Sequence, residues 1–304
     1  MVMIKRVLAL LGSGALAILL LRQAETAAQA VRDGVQLCLT SVIPALFPFF
    51  AVSSLLVALG AAEAAGRALA RPFGQLFRCG GAGCAALLLG LVGGYPVGAR
   101  TAAELVRRGE LSPAEGARLL TFCNNAGPAF AIGVAGVSVF GSARTGAWLY
   151  LLHCAAALLT GLLFCRRPLP VTAMPKRPAP PQTGLTGQFL RAVEGAVSAM
   201  ARVCGFVVFF LVLLRLAEGL IGPLPPLAAG VLELTNGILR LTPDRRGFVT
   251  AAALLGWGGL SVHCQTAAVT AGSGISLRLY LPAKAVQAAL SAGLAALLAP
   301  YLLP

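Results

Sequence analysis

Long apolar runs separated by short polar segments extend along the whole chain. Several approach the ~20 residues that an α-helix needs to cross the hydrocarbon core of a bilayer. Hydrophobic residues make up 58% and charged residues 11% of the 304 residues, which leaves too few polar side chains to cover a water-soluble domain. The sequence therefore predicts an all-α polytopic membrane protein. The runs cover residues 7–21, 39–62, 82–98, 119–140, 146–164, 203–221, 248–272 and 282–303.

Two of these runs are interrupted by adjacent glycines. The first break is Gly93 to Pro96, and the second, about 165 residues later, is Gly258 to Ser261. Glycine adopts backbone conformations closed to other residues and proline donates no backbone hydrogen bond, so a helix must open at these points. Interrupted membrane helices in both halves of a chain are typical of secondary transporters, whose substrate lies near the bilayer midplane. Tight helix packing through small residues is the alternative.

The orientation of the two units depends on the run over residues 82–98. If this run enters the membrane and returns as a re-entrant hairpin, Arg100 and Arg107 stay on the cytoplasmic side, as the positive-inside tendency favours. Three crossings then separate the units, which face opposite ways. A complete crossing would give parallel repeats instead. We predict the first arrangement: two inverted repeats, each with a re-entrant helical hairpin and a discontinuous helix.

The chain divides into four predicted parts. Residues 1–23 form a transmembrane helix, 24–165 the first repeat, 166–188 a proline-rich cytoplasmic linker, and 189–304 the second repeat. A secretory signal peptide is the alternative for the first part. No convincing small-residue cleavage site follows it, so we predict that this helix is retained.

Polar residues near the breaks are candidates for substrate binding. Asn124 and Asn125 lie inside an apolar run, where their amides are costly unless they form hydrogen bonds. Interhelical hydrogen bonds would also explain them. His263 follows the second break and is either a proton-coupling group or a hydrogen-bond partner. The predicted substrate-binding residues are Gly93, Gly94, Tyr95, Pro96, Arg100, Asn124, Asn125, Gly127, Pro128, Thr235, Asn236, Gly258, Gly259, Ser261, His263, Gln265 and Thr266.

The absence of certain residues restricts the function further. No aspartate or glutamate lies in the two breaks or beside the paired asparagines, whereas a cation site would be expected to contain carboxylates. Amides, hydroxyls, helix N-termini and Arg100 favour an anionic or neutral polar substrate. Zinc-protease, phosphate-loop and serine-hydrolase motifs are absent. We therefore predict no enzyme activity, no cofactor and no metal.

The net charge of +14 does not indicate nucleic acid as a partner, because the basic residues lie beside apolar runs, where charge sets membrane orientation. The predicted partners are a small anionic substrate and the lipid bilayer.

Four segments carry motifs of a known family: Ser41 to Phe50, Gly94 to Arg100, Gly109 to Glu115 and Phe122 to Pro128. They resemble the YlbJ-type sporulation integral membrane proteins, which carry a nucleoside-recognition gate domain. The resemblance spans most of the chain, although its specific motifs lie within residues 41–136.

The resemblance implies a role in endospore formation, in the outer forespore membrane, where members are thought to move dipicolinic acid toward the forespore. It also implies a fold similar to that of concentrative nucleoside transporters. Dipicolinate transport is our leading hypothesis. The alternatives are a nucleoside-like solute carrier and a non-transporting membrane scaffold for assembly of the spore envelope, or cortex. A homo-oligomer or other sporulation membrane proteins are further candidate partners.

Overall fold

The computed structural model describes residues 2–59, 61–165 and 184–302, and all regular structure in these ranges is helical. The all-α prediction is therefore confirmed. Two of the segments, π1 and π2, are π-helical. The helices are α1 (Val2–Arg22), α2 (Ala24–Leu37), π1 (Cys38–Val42), α3 (Ile43–Ala58), α4 (Ala61–Phe77), α5 (Gly83–Gly93), α6 (Val97–Arg107), α7 (Pro113–Leu120), π2 (Ala129–Val139), α8 (Ala143–Phe164), α9 (Leu185–Ile221), α10 (Pro226–Leu232), α11 (Leu234–Leu239), α12 (Arg245–Trp257), α13 (Gly259–Thr270) and α14 (Tyr280–Leu302).

Within the described residues, four helical segments are long and apolar enough to cross a membrane. They are Ala143–Phe164, Leu185–Ile221, Arg245–Thr270 and Tyr280–Leu302. A fifth is added if α1 and the helix after it, bent by 93°, count as one span. Other predicted apolar runs contain shorter helices, because glycine, proline and asparagine interrupt them.

The α2 helix of the first half packs against α9 of the second half. A methyl group added to Gly34 of α2 would lie 3.1 Å from the Cα of Val208 in α9, and the Cys38 thiol lies 3.9 Å from the carbonyl oxygen of Cys204. Residue numbers rise along one partner and fall along the other, so the helices are antiparallel. The predicted linker over 166–188 lies outside the described residues as far as 183, and α9 begins at Leu185.

The first glycine break forms a helical hairpin. A methyl group on Gly90 of α5 would lie 3.0 Å from the Cα of Gly98 in α6, although a continuous helix would separate residues eight apart by about 12 Å. The chain reverses at Gly94, whose φ of 74° is open to glycine, and at Pro96. Each arm has 11 residues, about 16 Å of helix, and is too short to cross the ~30 Å hydrocarbon core alone.

The second break differs from the predicted hairpin. Gly258 and Gly259 have φ values of 93° and 81°, yet α12 and α13 continue in sequence as one interrupted segment of 26 residues. The left-handed glycines offset the helix here without reversing it. The hairpin of this half is formed instead by α10 and α11, where a methyl group on Gly237 would lie 2.1 Å from the Cα of Gly230. Glu233 lies at its tip.

The apolar run over residues 119–140 does not form one continuous helix. The α7 helix ends at Leu120, residues 121–127 are irregular, and π2 begins at Ala129. Ser112 fixes the start of α7 through a capping box with Glu115. The paired asparagines therefore lie on open backbone between two helices.

Candidate substrate site

Tyr95 joins the two glycine breaks. Its hydroxyl donates a hydrogen bond of 2.7 Å to the carbonyl oxygen of Leu255, in the last turn of α12. A methyl group on Gly258 would lie 3.2 Å from the same hydroxyl, and one on Gly94 would lie 2.8 Å from the amide nitrogen of Gly127. The hairpin tip, the irregular segment and the interrupted helix therefore meet at one place.

A buried polar network connects the irregular segment to α13 and α14. The Asn124 amide donates to the Thr266 hydroxyl at 2.8 Å and to the Tyr280 hydroxyl at 3.1 Å. The Tyr280 hydroxyl also lies 3.2 Å from Nδ1 of His263. Asn124 and Thr266 are fully buried, so these contacts satisfy groups that water does not reach.

A second branch of the network contains Lys284 and Gln287 of α14. Lys284 Nζ donates to the carbonyl oxygen of Asn124 at 3.0 Å and to Oε1 of Gln287 at 2.7 Å. The Gln287 amide donates in turn to Oδ1 of Asn125 at 2.9 Å. Tyr280, Lys284 and Gln287 were not among the residues predicted from the sequence. Lys284 is the one charged residue in the apolar run over 282–303, which was the available signal.

The paired asparagines are also held from the first half of the chain. Asn125 donates to the carbonyl oxygen of Phe122 at 2.7 Å, and the Ala126 amide donates to Nε2 of His153 at 3.0 Å. His153 is fully buried in α8. His153 therefore holds the irregular backbone in place. This is a structural role, as its isolation among apolar residues in the sequence suggests.

A small cavity of about 50 Å³ lies where the breaks meet, with room for a few water molecules. Glu233, only 1% exposed, also lines it and accepts two hydrogen bonds from Asn236. The two glycine breaks contain no carboxylate, whereas the tip of the α10–α11 hairpin contains Glu233. Of the predicted residues, those lining this cavity are Gly93, Gly94, Tyr95, Gly127, Thr235, Ser261 and Gln265.

Several polar atoms at this site have no hydrogen-bond partner among the described residues. Ser261 Oγ and Gln265 Oε1 belong to side chains that line the small cavity. Asn124 Oδ1 and His263 Nε2 belong to the adjoining network. Buried polar groups are nearly always paired, so these atoms are available to a ligand.

A larger cavity of about 390 Å³ lies on the other side of the hairpin tip, within the size range of about 300–1,000 Å³ typical of small-molecule sites. Pro96 and Arg100 line this cavity. Its other charged lining residues are Glu104, Arg107, Arg108, Arg191 and Arg202. The structure therefore places Arg100 among other arginines, apart from the asparagines with which it was grouped.

The remaining predicted residues have positions that the backbone explains. Asn236 donates both its backbone and its side-chain N–H to Glu233, at the start of α11. A methyl group on Gly259 would lie 2.9 Å from the amide nitrogen of Leu234, so this glycine permits the α10–α11 tip to approach α13. Pro128 precedes the first residue of π2.

Comparisons with known proteins confirm the predicted resemblance. Residues 39–144 match the family model described as "Gate: Nucleoside recognition". Over 310 aligned residues, 85% of this chain and 74% of the relative, the chain is 26% identical to the sporulation integral membrane protein YlbJ of Bacillus subtilis (strain 168). No solved structure matches the chain.

Proposed function

We propose that this protein is a membrane transporter for a small anionic solute, with dipicolinic acid as the leading candidate. The large cavity carries the proposal, because five arginines and one glutamate line it directly beside a hairpin tip. Clefts lined by one sign of charge concentrate ions of the opposite sign. Arg107 and Arg108 are paired with Glu104, whereas Arg100 takes part in none of the ion pairs of the described residues.

An inverted repeat accounts for the order of the helices. Each half has a long helix (α2–π1–α3 or α9), a hairpin (α5–α6 or α10–α11), an interrupted helix (α7–π2 or α12–α13) and a final apolar helix (α8 or α14). In each half the final helix packs closely on the interrupted one, through Gly136 and Gly146 in the first and through Gly256 and Ala288 in the second. Among the described helices, α1 and α4 have no counterpart in the second half. The antiparallel pairing of the long helices is what a two-fold axis in the membrane plane requires.

Arg107 connects the end of α6 to the end of α13. Its guanidinium donates to the carbonyl oxygen of Val269 at 2.8 Å, at the end of α13. The end of α13 therefore lies on the same side as the arginine-lined cavity. This favours α12–α13 as a complete crossing and α5–α6 as a re-entrant hairpin from the cytoplasmic side.

Cysteine labelling tests this topology. We expect Arg107→Cys and Arg278→Cys to react with a membrane-impermeant thiol reagent only from the cytoplasmic side, and Arg245→Cys only from the opposite side. Everted and right-side-out vesicles provide the comparison, and the native cysteines are assessed in the parent protein. Labelling of Arg107→Cys and Arg245→Cys from the same side would contradict the inverted arrangement.

The choice of dipicolinate rests on chemistry and on the relative. It is a small aromatic dianion, and the cavity offers arginines whose planar groups bind carboxylates in a bidentate manner. The similarity to a sporulation protein supports transport in sporulating cells, and the outer forespore membrane is the proposed location. Because basic loops face the cytoplasm, the solute would enter the cavity from the mother cell.

Uptake of labelled dipicolinate into proteoliposomes tests the function. We expect Arg100→Gln to raise the half-saturating concentration by a factor of about 10 to 100, because a hydrogen bond to a charged group contributes about 1.5–3 kcal/mol. Arg32→Gln is the matched control, since Arg32 is an exposed arginine of α2 that bonds only to Gln29 in its own helix. Equal half-saturation in the wild type and Arg100→Gln would refute the role of this arginine.

A nucleoside-like carrier is the second candidate, favoured by the description of the matching family model. Labelled nucleoside taken up by the wild type and equally well by Arg100→Gln would favour it, because a neutral solute gains little from the arginine. Folded protein that moves neither solute would favour the scaffold alternative.

A further inference from the structure

Lys284 is a fully buried lysine inside a candidate membrane-spanning helix. It takes part in none of the ion pairs of the described residues, so no carboxylate in these ranges offsets its charge. Burial of an uncompensated charge costs several kcal/mol. A position of this kind is expected to have a function that offsets the cost.

The groups around Lys284 Nζ are those that recognise a cation. The carbonyl oxygen of Asn124 lies 3.0 Å away and Oε1 of Gln287 lies 2.7 Å away. The ring centroid of Tyr95 lies 5.4 Å from the same nitrogen, within the range of a cation–π contact. Two oxygens and an aromatic face therefore surround one positive group.

The irregular backbone makes this arrangement available. Asn124 lies in the irregular stretch between α7 and π2, so its carbonyl is not committed to a helix. Carbonyls of interrupted helices bind the coupling cation in many secondary transporters. Here the oxygen of the interrupted segment is occupied by the side chain of α14.

We propose that the Lys284 ammonium is a tethered cation that occupies an inorganic cation's position at the interrupted helix. It binds α14 to the irregular segment in the way that a bound ion would. The native protein then requires no monovalent cation at this site, and removal of the side chain creates a site that a small cation fills. The role in transport rests on the proposed function, whereas the cation site does not.

Thermal unfolding in detergent tests the site without transport. The wild type, Lys284→Ala and Lys284→Gln are compared in sodium, potassium, methylammonium and N-methylglucamine chlorides at equal concentration. We expect the Tm of Lys284→Ala to be about 2–4 °C higher in at least one small cation than in N-methylglucamine. Binding of a cation present at about ten times its Kd would give a shift of this size. The wild type and Lys284→Gln, in which a side chain still fills the position, should show no such difference.

Ser291→Ala is the matched control, because Ser291 is fully buried two turns further along α14. Its Tm should not depend on the cation. A sodium-specific rise in the wild-type Tm would overturn the proposal. So would a Lys284→Ala variant whose Tm is the same in all four salts. If Lys284→Ala folds only when purified in a small cation, the proposal is supported; if it folds in no salt while Lys284→Gln folds, the proposal is overturned.

The consequence for transport is measured separately. Wild-type uptake into proteoliposomes should be the same with sodium, potassium or N-methylglucamine outside. Sodium-dependent uptake would contradict the tethered cation. No uptake in any salt would count against the proposed function alone, because the Tm measurements still decide the cation site.

Discussion

Replacement of Gly98 by alanine is expected to prevent the α5–α6 hairpin from closing and to abolish most of the folded protein. The added methyl group would lie 1.9 Å from the carbonyl oxygen of Cys123 and 3.0 Å from the Cα of Gly90. These are backbone atoms, so no side chain can rotate away to make room. We expect a loss of more than about 3 kcal/mol, the upper range for overpacking of a close-packed core. Size-exclusion chromatography and Tm in detergent measure it.

Gly205→Ala is the matched control for this variant. Gly205 lies in α9, and a methyl group there would meet no atom within 4 Å. Alanine is about 0.5–1 kcal/mol better than glycine in a helix interior, so this Tm should stay the same or rise. A monodisperse Gly98→Ala protein with wild-type Tm would show that the two arms are not in the contact described.

The first hairpin illustrates what local sequence can predict. Adjacent glycines before Tyr95-Pro96 open a helix in almost any context, because the effect lies in the backbone of these residues. The position of the first break could therefore be predicted from the sequence. The close approach of Gly90 to Gly98 and the carbonyl of Cys123 between them depend on tertiary packing, which composition does not reveal.

The second half shows where this reasoning fails. Gly258-Gly259 repeats the glycine pair of the first break, but the helix continues beyond it. A left-handed glycine is compatible with both a reversal and an offset, and the packing of the flanking helices decides between them. The true reversal is at Glu233, a carboxylate in an apolar stretch with glycines at Gly230 and Gly237. Those glycines were visible, but no pattern marked them as the contact points of two short helices.

The site residues that could be predicted from the sequence are those whose polar side chains are unusual at membrane depth. Asn124, Asn125 and Thr266 are polar residues in apolar surroundings, and the structure brings them into one buried network with α14. Their partner Tyr280 follows an irregular segment, and its hydroxyl turns inward only because α14 packs there. Arg100 was predicted to attract an anion in the same site as the asparagines, but α6 directs it into the large cavity.

Asn125→Ala is expected to destabilise the protein strongly, because it leaves two buried groups without partners. Asn125 accepts from the Gln287 amide at 2.9 Å and donates to the Phe122 carbonyl at 2.7 Å, and its side chain is fully buried. Each buried group left unpaired costs about 1–3 kcal/mol. Denaturant unfolding in detergent measures the loss.

A double-mutant cycle with Gln287→Leu separates this network from general disruption of the core. Once Asn125 is alanine, loss of the Gln287 amide removes a group that already lacks its partner. The double variant should therefore be less destabilised than the sum of the single variants, by about 1–2 kcal/mol, within the range found for residues in one hydrogen-bond network. Additive losses would mean that the two amides do not interact.

Dipicolinate uptake tests whether the same asparagines belong to the substrate site. The side-chain amide of Asn124 donates to Thr266, and its backbone carbonyl oxygen accepts from Lys284. Asn124 therefore links the irregular segment to two helices of the second half. We expect an Asn124→Ala, Asn125→Ala variant to lose nearly all dipicolinate uptake, while Ser291→Ala keeps it. Uptake is normalised to the folded fraction, so that lost stability is not counted as lost transport. Normal uptake by a folded double variant would remove both side chains from the site, because their amides would then not be needed to carry the solute.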